Sequence, residues 1–165
     1  MGWQAVEGSF RDPSGFVFTR DGTLFRQINH SFRQSFEGFL GSGLYDELVR
    51  DGLLVPHEQV GLELSATNDA YSVIRPERIA FISYPYEWSF GQLQDAAVLT
   101  LEIQERALAR GFTLRDSSAY NIQFQSGRPI LIDTLSFEPH VEGKPWDAYK
   151  QFCEQFLLPL TLMSV

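Results

Sequence analysis

Residues 110–137, RGFTLRDSSAYNIQFQSGRPILIDTLSF, constrain the fold more than any other stretch. A helical pattern ends at Gly111, and the loop after it carries Asp116 and, five residues on, Asn121. Two short strands follow, 121–124 and 129–133, turning through Gln125, Ser126, Gly127 and Arg128. A turn centred near Gly127 sets Asn121 opposite Asp133 to within one register step. Cross-strand neighbours sit roughly 5 Å apart, close enough for an amide oxygen and a carboxylate to share one hard cation. Mg²⁺ takes one or two such oxygens together with substrate phosphates. Asp116, upstream of both, is then free to orient an attacking hydroxyl. The stretch has the outline of a phosphate-transfer site.

A second strong signal lies near the N-terminus. Gly15–Arg20 and 23–28 flank Asp21-Gly22, the dipeptide favoured in two-residue hairpin loops. That loop pairs Arg20 with Thr23, Phe18 with Phe25 and Val17 with Arg26. Val17, Leu24, Arg26 and Ile28 then share one face, and Phe16, Phe18, Phe25 and Gln27 the other. Residues 10–15 read as another strand turning into this hairpin.

From 30 to 55 the period becomes helical. Phe32, Phe36, Phe39 and Leu40 form one stripe, Gly41-Ser42-Gly43 breaks it, and Leu44, Leu48 and Val49 continue in a second helix. Residues 59–65 and 71–75 read as strands, and 78–84 (RIAFISY) as a short buried strand ended by Pro85-Tyr86-Glu87-Trp88. Residues 90–110 form the longest helical pattern, with Ser89 as N-cap and Gly111 just past its end. Its expected inward stripe is Leu93, Ala96, Ala97, Leu101, Gln104 and Leu108. Residues 146–158 read as a final helix with Cys153 buried on its apolar stripe. His57, alone in a turn, reads as structural.

Composition narrows the function. A chain of 165 residues suits one domain with a real core, and its 14 Phe make that core aromatic. A net charge of −8 argues against a nucleic-acid partner. With only two lysines, Lys144 and Lys150, phosphate contacts elsewhere fall to Arg or backbone N–H groups. A single cysteine excludes an internal disulfide. No signal-peptide pattern opens the chain, and no apolar run nears the roughly 18 residues of a membrane span. The expectation is a cytoplasmic protein with no membrane partner.

These motifs resemble the catalytic core of the protein-kinase-like superfamily, where H-R-D-x-x-x-x-N precedes a hairpin ending in D-F-G. Leu114-Arg115-Asp116 stands where H-R-D would, Asn121 matches the Asn, and Asp133-Thr134-Leu135 matches D-F-G. The resemblance implies an α+β, protein-kinase-like fold. A small antiparallel-sheet N-lobe would cover about 1–84, a hinge about 85–90, and an abbreviated helical C-lobe with the catalytic-loop hairpin about 91–165. It implies Asp116 as catalytic base and Asn121 and Asp133 as metal ligands. Mg²⁺ and ATP, or another nucleotide, would be the cofactors, and a small molecule the phosphate acceptor. Gly15-Phe16-Val17 fits the G-x-V of the glycine-rich turn. Arg26 falls where the phosphate-gripping Lys stands, with Glu37 to support it. Tyr84 and Tyr86 fall at the hinge, where the family binds adenine through backbone groups. The departures are Leu114 for His, no Gly after Asp133-Thr134, and Arg for Lys, which are not interchangeable at a phosphate clamp. Plainer readings stay open. Arg26 can sit at the solvent edge of a Phe-rich hairpin, Glu37 can be a solvated helix charge, and Asp116 can cap a turn.

A closer resemblance covers nearly the whole chain. The runs FISYPYEWSF, SAYNIQF, IDTLSFE and YKQFCEQFLLPL are similar to the N-terminal module of bacterial class I SAM-dependent methyltransferases, some bearing nodulation-type names. It implies a fragment of a longer chain whose methyltransferase domain lies downstream. SAM would bind only there, since no strand–G-x-G-x-G turn occurs here. The alternative function is then a non-catalytic, pseudokinase-like module that recruits substrate or a partner for the attached methyltransferase.

Overall fold

The computed structural model describes residues 2–6, 9 and 12–164. The chain divides into two compact units, one formed by residues up to Glu37 with Pro56–Arg78, the other by Gly38–Val55 with the residues from Ile79 onward.

The first unit is one antiparallel sheet. Its strands are β1 (Trp3–Ala5), β2 (Gly15–Arg20), β3 (Thr23–Asn29), β4 (His57–Val60) and β5 (Ala70–Pro76), in the order β1-β2-β3-β5-β4. Asp21 and Gly22 both adopt positive φ, 50° and 77°, the conformation a two-residue I′ turn requires. The register is the expected one, with Val17 opposite Arg26 and Phe18 opposite Phe25. Burial follows the alternation in part: Phe16, Phe18, Phe25 and Gln27 are buried and Val17, Leu24 and Arg26 half-buried, but Ile28, expected on the face of the latter three, is fully buried. Phe18 stacks on Phe25 with ring centres 5.7 Å apart, and Trp3 packs against Phe16 and Phe18. Gln27 is fully buried among these rings because every arm of its amide is used. Its oxygen accepts from the N–H groups of Ala66 and Thr67, and its nitrogen donates to Asn29 and Thr67.

Two strand expectations change. Of the strand read over 10–15, Phe10 and Arg11 lie outside the described residues, and 12–14 form a turn in which Asp12 accepts from the Ser14 N–H at 2.8 Å. The strand beside β2 is β1. Of residues 59–65, only the start is strand. Leu62–Leu64 is a 3₁₀ turn, and the Arg20 guanidinium donates to the carbonyls of Glu63 and Ser65.

His57 starts the edge strand β4, its ring 6.2 Å from that of Phe36. Burial holds its pKa down to about 4. The unfolded chain therefore binds this proton more readily, with an ordinary value near 6.5. The stability contributed by neutral His57 is complete above pH ~6.5 and is lost as pH falls from there toward 4, at up to about 1.4 kcal/mol per pH unit. Denaturant midpoints between pH 4.5 and 7 should show a shallower slope for His57→Gln than for the parent. Equal slopes would contradict this account.

The second unit is mainly helical. Helix α1 (Arg33–Gly41) starts in the first unit, enters the second at Gly38 and ends before the left-handed Gly43 (φ 77°), and α2 (Leu44–Arg50) follows. Helix α3 (Phe90–Ala109) starts at Ser89, whose hydroxyl accepts from the Gln92 N–H while Gln92 returns a bond to the Ser89 N–H, and Gly111 with φ 77° follows its end. Its inward face differs in part from the expected stripe. Leu93, Ala96, Ala97 and Gln104 are buried, but Leu101 and Leu108 are 46% and 44% exposed. Leu99, Thr100, Ile103 and Ala107 take the inner positions. The stripe runs through two polar residues that are both satisfied: Thr100 donates to the Ala96 carbonyl, and Gln104 accepts from the Leu114 N–H. Arg106 joins Asp51 to Glu102, and Arg110 reaches Glu47, so α2 is tied to α3 by charge.

Beyond α3 come β6 (Phe112–Leu114), β7 (Ile122–Gln125), β8 (Arg128–Leu131) and β9 (Phe137–Pro139), with β6 paired to β9 and β7 to β8. Residues 53–55 dock on β8, with the Val55 N–H donating to the Leu131 carbonyl at 2.9 Å. The final helix begins at Tyr149, not 146. It runs through α4 (Tyr149–Phe152), one π turn (Cys153–Leu157) and α5 (Leu158–Met163). Trp146 precedes it and donates its indole N–H to the Leu114 carbonyl at 2.7 Å, and Cys153 is only half-buried.

Residues 78–84 are a clear correction. They form no strand, and Phe81 and Ile82 are 76% and 50% exposed. A strand needs a ladder partner as well as β-branched and aromatic composition, and among the described residues none pairs with this segment.

Candidate functional site

The loop that carries Asp116 is fixed at both ends. Gln104 binds β6 at its entrance, accepting from Leu114 N–H at 2.8 Å and donating to the Thr113 hydroxyl at 2.9 Å. At its exit, β7 and β8 turn through Ser126 and Gly127, both at positive φ. Ile122 pairs with Leu131, and the Ile132 N–H donates to the Asn121 carbonyl at 2.8 Å. Asp133 therefore lies one residue beyond the position opposite Asn121, inside the tolerance of the sequence register.

The chain after Asp133 folds back on the loop. Asp133 Oδ1 accepts from the Leu135 N–H at 2.8 Å, its carbonyl from the Ser136 N–H. Arg115 donates its backbone N–H to the Ser136 carbonyl and its Nε to the Leu135 carbonyl, each at 2.9 Å. The Asn121 amide nitrogen lies 3.5 Å from the Ser136 hydroxyl. These bonds draw Asp116, Asn121 and Asp133 into one small region of the second unit. Asp116 does cap a turn, accepting from Ser118 N–H at 2.9 Å through Oδ1.

Among the described residues no three His, Cys, Asp or Glu groups gather to hold a metal by themselves. Mg²⁺ does not require such a cage, since one or two protein oxygens plus phosphates suffice. The donor types are of that kind: Asp116 and Asp133 carry carboxylate oxygens, and Asn121, whose NH₂ is directed to Ser136, carries an amide oxygen.

The other expected site residues are placed as follows. Gly15 and Val17 lie on β2 and Arg26 on β3, all in the first unit. The carboxylate expected to support Arg26 is held elsewhere: Glu37 accepts from Tyr71 and from Arg33, and these bonds lower its pKa. Arg33 also lies over the Tyr71 ring, 5.0 Å from its centre. Glu37 thus belongs to a surface triad, because the i, i+4 spacing from Arg33 makes that pair local.

Tyr84 and Tyr86 stack on each other with ring centres 5.5 Å apart and planes 5° from parallel, and are 45% and 75% exposed. Burial raises the Tyr86 pKa first, with the charge of Glu87 and the neighbouring Tyr84 and Tyr120 adding to it. Pro85–Glu87 is a 3₁₀ turn in which Glu87 accepts from the Tyr84 N–H. Sequence reasoning missed what fixes this segment. The buried Gln123 of β7 accepts from the Ser83 N–H at 2.9 Å and donates to the Ser83 carbonyl at 3.0 Å, and Trp88 donates to the Ser83 hydroxyl. An inward glutamine in a short strand is the one trace of this in the sequence.

Sheet unit, long helix, loop and hairpin follow one another in the expected order, and the α+β architecture is the expected one. No protein-family model matches the chain. The nodulation protein NoeA of Rhizobium meliloti (strain 1021) is 40% identical over 162 residues, which is 97% of this chain and 34% of NoeA. The chain thus spans about a third of the length of the curated relative it matches. Among solved structures, vaccinia related kinase 3 aligns with a TM-score of 0.46 and 15% identity, over 82% of this chain and 48% of that one. Among the described residues no helix is long and apolar enough to cross a membrane.

Proposed function

We propose that this chain is a kinase-like module that binds a Mg²⁺-nucleotide and transfers phosphate to a small-molecule hydroxyl. The observation that carries the reading is the convergence of Asp116, Asn121 and Asp133 through the bonds of Arg115 and Asn121 to the 135–136 turn. Asn121 and Asp133 would hold the metal, which when bound supplies charge neutralisation to the transferred phosphoryl group. The free oxygen of Asp116 orients the acceptor hydroxyl and takes its proton. Tyr84 and Tyr86 offer ring faces to the base.

A second reading rests on Arg26 standing where a compact ammonium is expected, and on the chain spanning 34% of NoeA. In it the module recruits a substrate or partner for a methyltransferase domain in the same longer protein. Release or transfer of the terminal phosphate of ATP or GTP, followed with and without Mg²⁺, separates the two. Turnover that needs Mg²⁺ supports phosphotransfer. Binding with no turnover across a panel of small hydroxyl acceptors supports recruitment.

A further inference from the structure

The loop between Arg115 and Asn121 has no regular structure until its last turn, yet all five N–H groups from Ser117 to Asn121 are bonded. Three of those bonds are local: Ser118 to Asp116 Oδ1, Tyr120 to the Ser118 hydroxyl, and Asn121 to the Ser118 carbonyl. The other two leave the loop for the C-terminal helical segment. The Ser117 N–H donates to Gln151 Oε1 at 2.7 Å, and the Ala119 N–H to Gln155 Oε1 at 2.8 Å. Gln155 also accepts from the Ser118 hydroxyl at 3.1 Å, and the Ser117 hydroxyl donates to the Ala148 carbonyl at 2.8 Å. Ser117 and Ala119 are 3% and 1% exposed, so water is a poor substitute for these acceptors.

We infer that Gln151 and Gln155 are positioning residues for Asp116 and Asn121, a role that rests on the metal-site reading above. Without them the loop keeps its turn bonds, the Ser117–Ala148 bond and, at its two ends, the bonds of Arg115 and Asn121 to residues 132–136, but it loses the two backbone bonds that hold its middle. The π turn Cys153–Leu157 contains Gln155, and such turns are often kept at functional positions. Glutamine suits the task chemically. It is long enough to reach an irregular backbone, and it is neutral, so it supplies an acceptor without placing a further carboxylate near Asp116 and Asp133 to compete for a cation. The C-terminal segment is thereby part of the site and not only its support.

The test uses Mn²⁺ as a paramagnetic stand-in for Mg²⁺, with amide exchange and line broadening read by nuclear magnetic resonance. In the parent protein Mn²⁺ should broaden the Asn121 and Asp133 signals first, and the Ser117 and Ala119 amides should exchange slowly. In the Gln151→Met/Gln155→Met double variant those two amides should exchange at least ~10-fold faster, as expected when a bond worth about 1.4 kcal/mol is lost. The Mn²⁺ needed for half-broadening at Asn121 should rise by a similar factor, while amides of the β2–β3 hairpin stay unchanged. Gln155→Glu, which keeps the acceptor, should retain slow exchange at Ala119, so a double variant that fails to fold does not end the test. Half-broadening within twofold of the parent in a folded variant would overturn the positioning role and leave the metal site intact. Absence of broadening in the parent protein would overturn the metal-site reading itself, and the positioning role with it.

Discussion

Asp116→Asn should lower phosphate turnover by about 10²–10⁴-fold, the usual contribution of a positioned acid–base group, while changing nucleotide affinity little. The amide keeps an oxygen to accept from the Ser118 N–H, so the turn that shapes the loop survives. What is lost is the second anionic oxygen, the one able to orient a hydroxyl and take its proton. Steady-state turnover, nucleotide affinity and thermal midpoint measured on one preparation separate these effects. A loss of turnover with affinity and midpoint preserved supports the assigned role. Unchanged turnover would reduce Asp116 to a turn cap.

Phe39→Ala should destabilise the protein by about 3–5 kcal/mol, the usual cost of emptying a buried aromatic site. The ring is 1% exposed and stacks on Phe137, centre to centre 4.4 Å and 11° from parallel. It also meets Phe112 and Tyr45 edge-on. Phe137 directly follows Ser136, whose carbonyl receives the Arg115 N–H, so the cavity opens beside the strands that frame the Asp116 loop. At roughly 2–4 °C per kcal/mol for a domain of this size, the thermal midpoint should fall by roughly 10 °C. Phe39→Leu should recover most of that loss. A fall of under ~2 °C for Phe39→Ala would mean that this core collapses around the gap without cost.

The parts of the fold that were legible in the sequence are those whose residues encode their geometry locally. Asp21-Gly22 fixes a loop length, and loop length fixes which side chains meet across β2 and β3. Ser89 with Gln92 and Gly111 mark both ends of α3 because caps act within a few residues. The spacing of Asp116, Asn121 and Asp133 survived for the same reason, since a short hairpin translates sequence distance into register. Longer-range partners were not legible. Residues 78–84 have strand composition, but only the sheet's strand order shows that no neighbour remains for them. Leu101 and Leu108 fit a helical stripe as well as Ile103 and Ala107 do, and the choice falls to what packs against α3. Glu37 has a correct spacing to Arg33 and was assigned to a more distant cation. Gln27, Gln151 and Gln155 carry no local signal of their partners, yet each acts as a side-chain acceptor for backbone N–H groups of an irregular segment.

The central claim is a metal-dependent nucleotide site built on Asp133. Its most direct test is the thermal midpoint with ATP or GTP, with and without Mg²⁺, for the parent protein and Asp133→Asn. Nucleotide at about a hundred times its dissociation constant stabilises by about 2.7 kcal/mol, a rise of roughly 5–10 °C at this chain length. The account predicts that rise only with Mg²⁺ present, and its loss in Asp133→Asn. A midpoint that neither nucleotide moves, or a rise that Asp133→Asn retains, would contradict it.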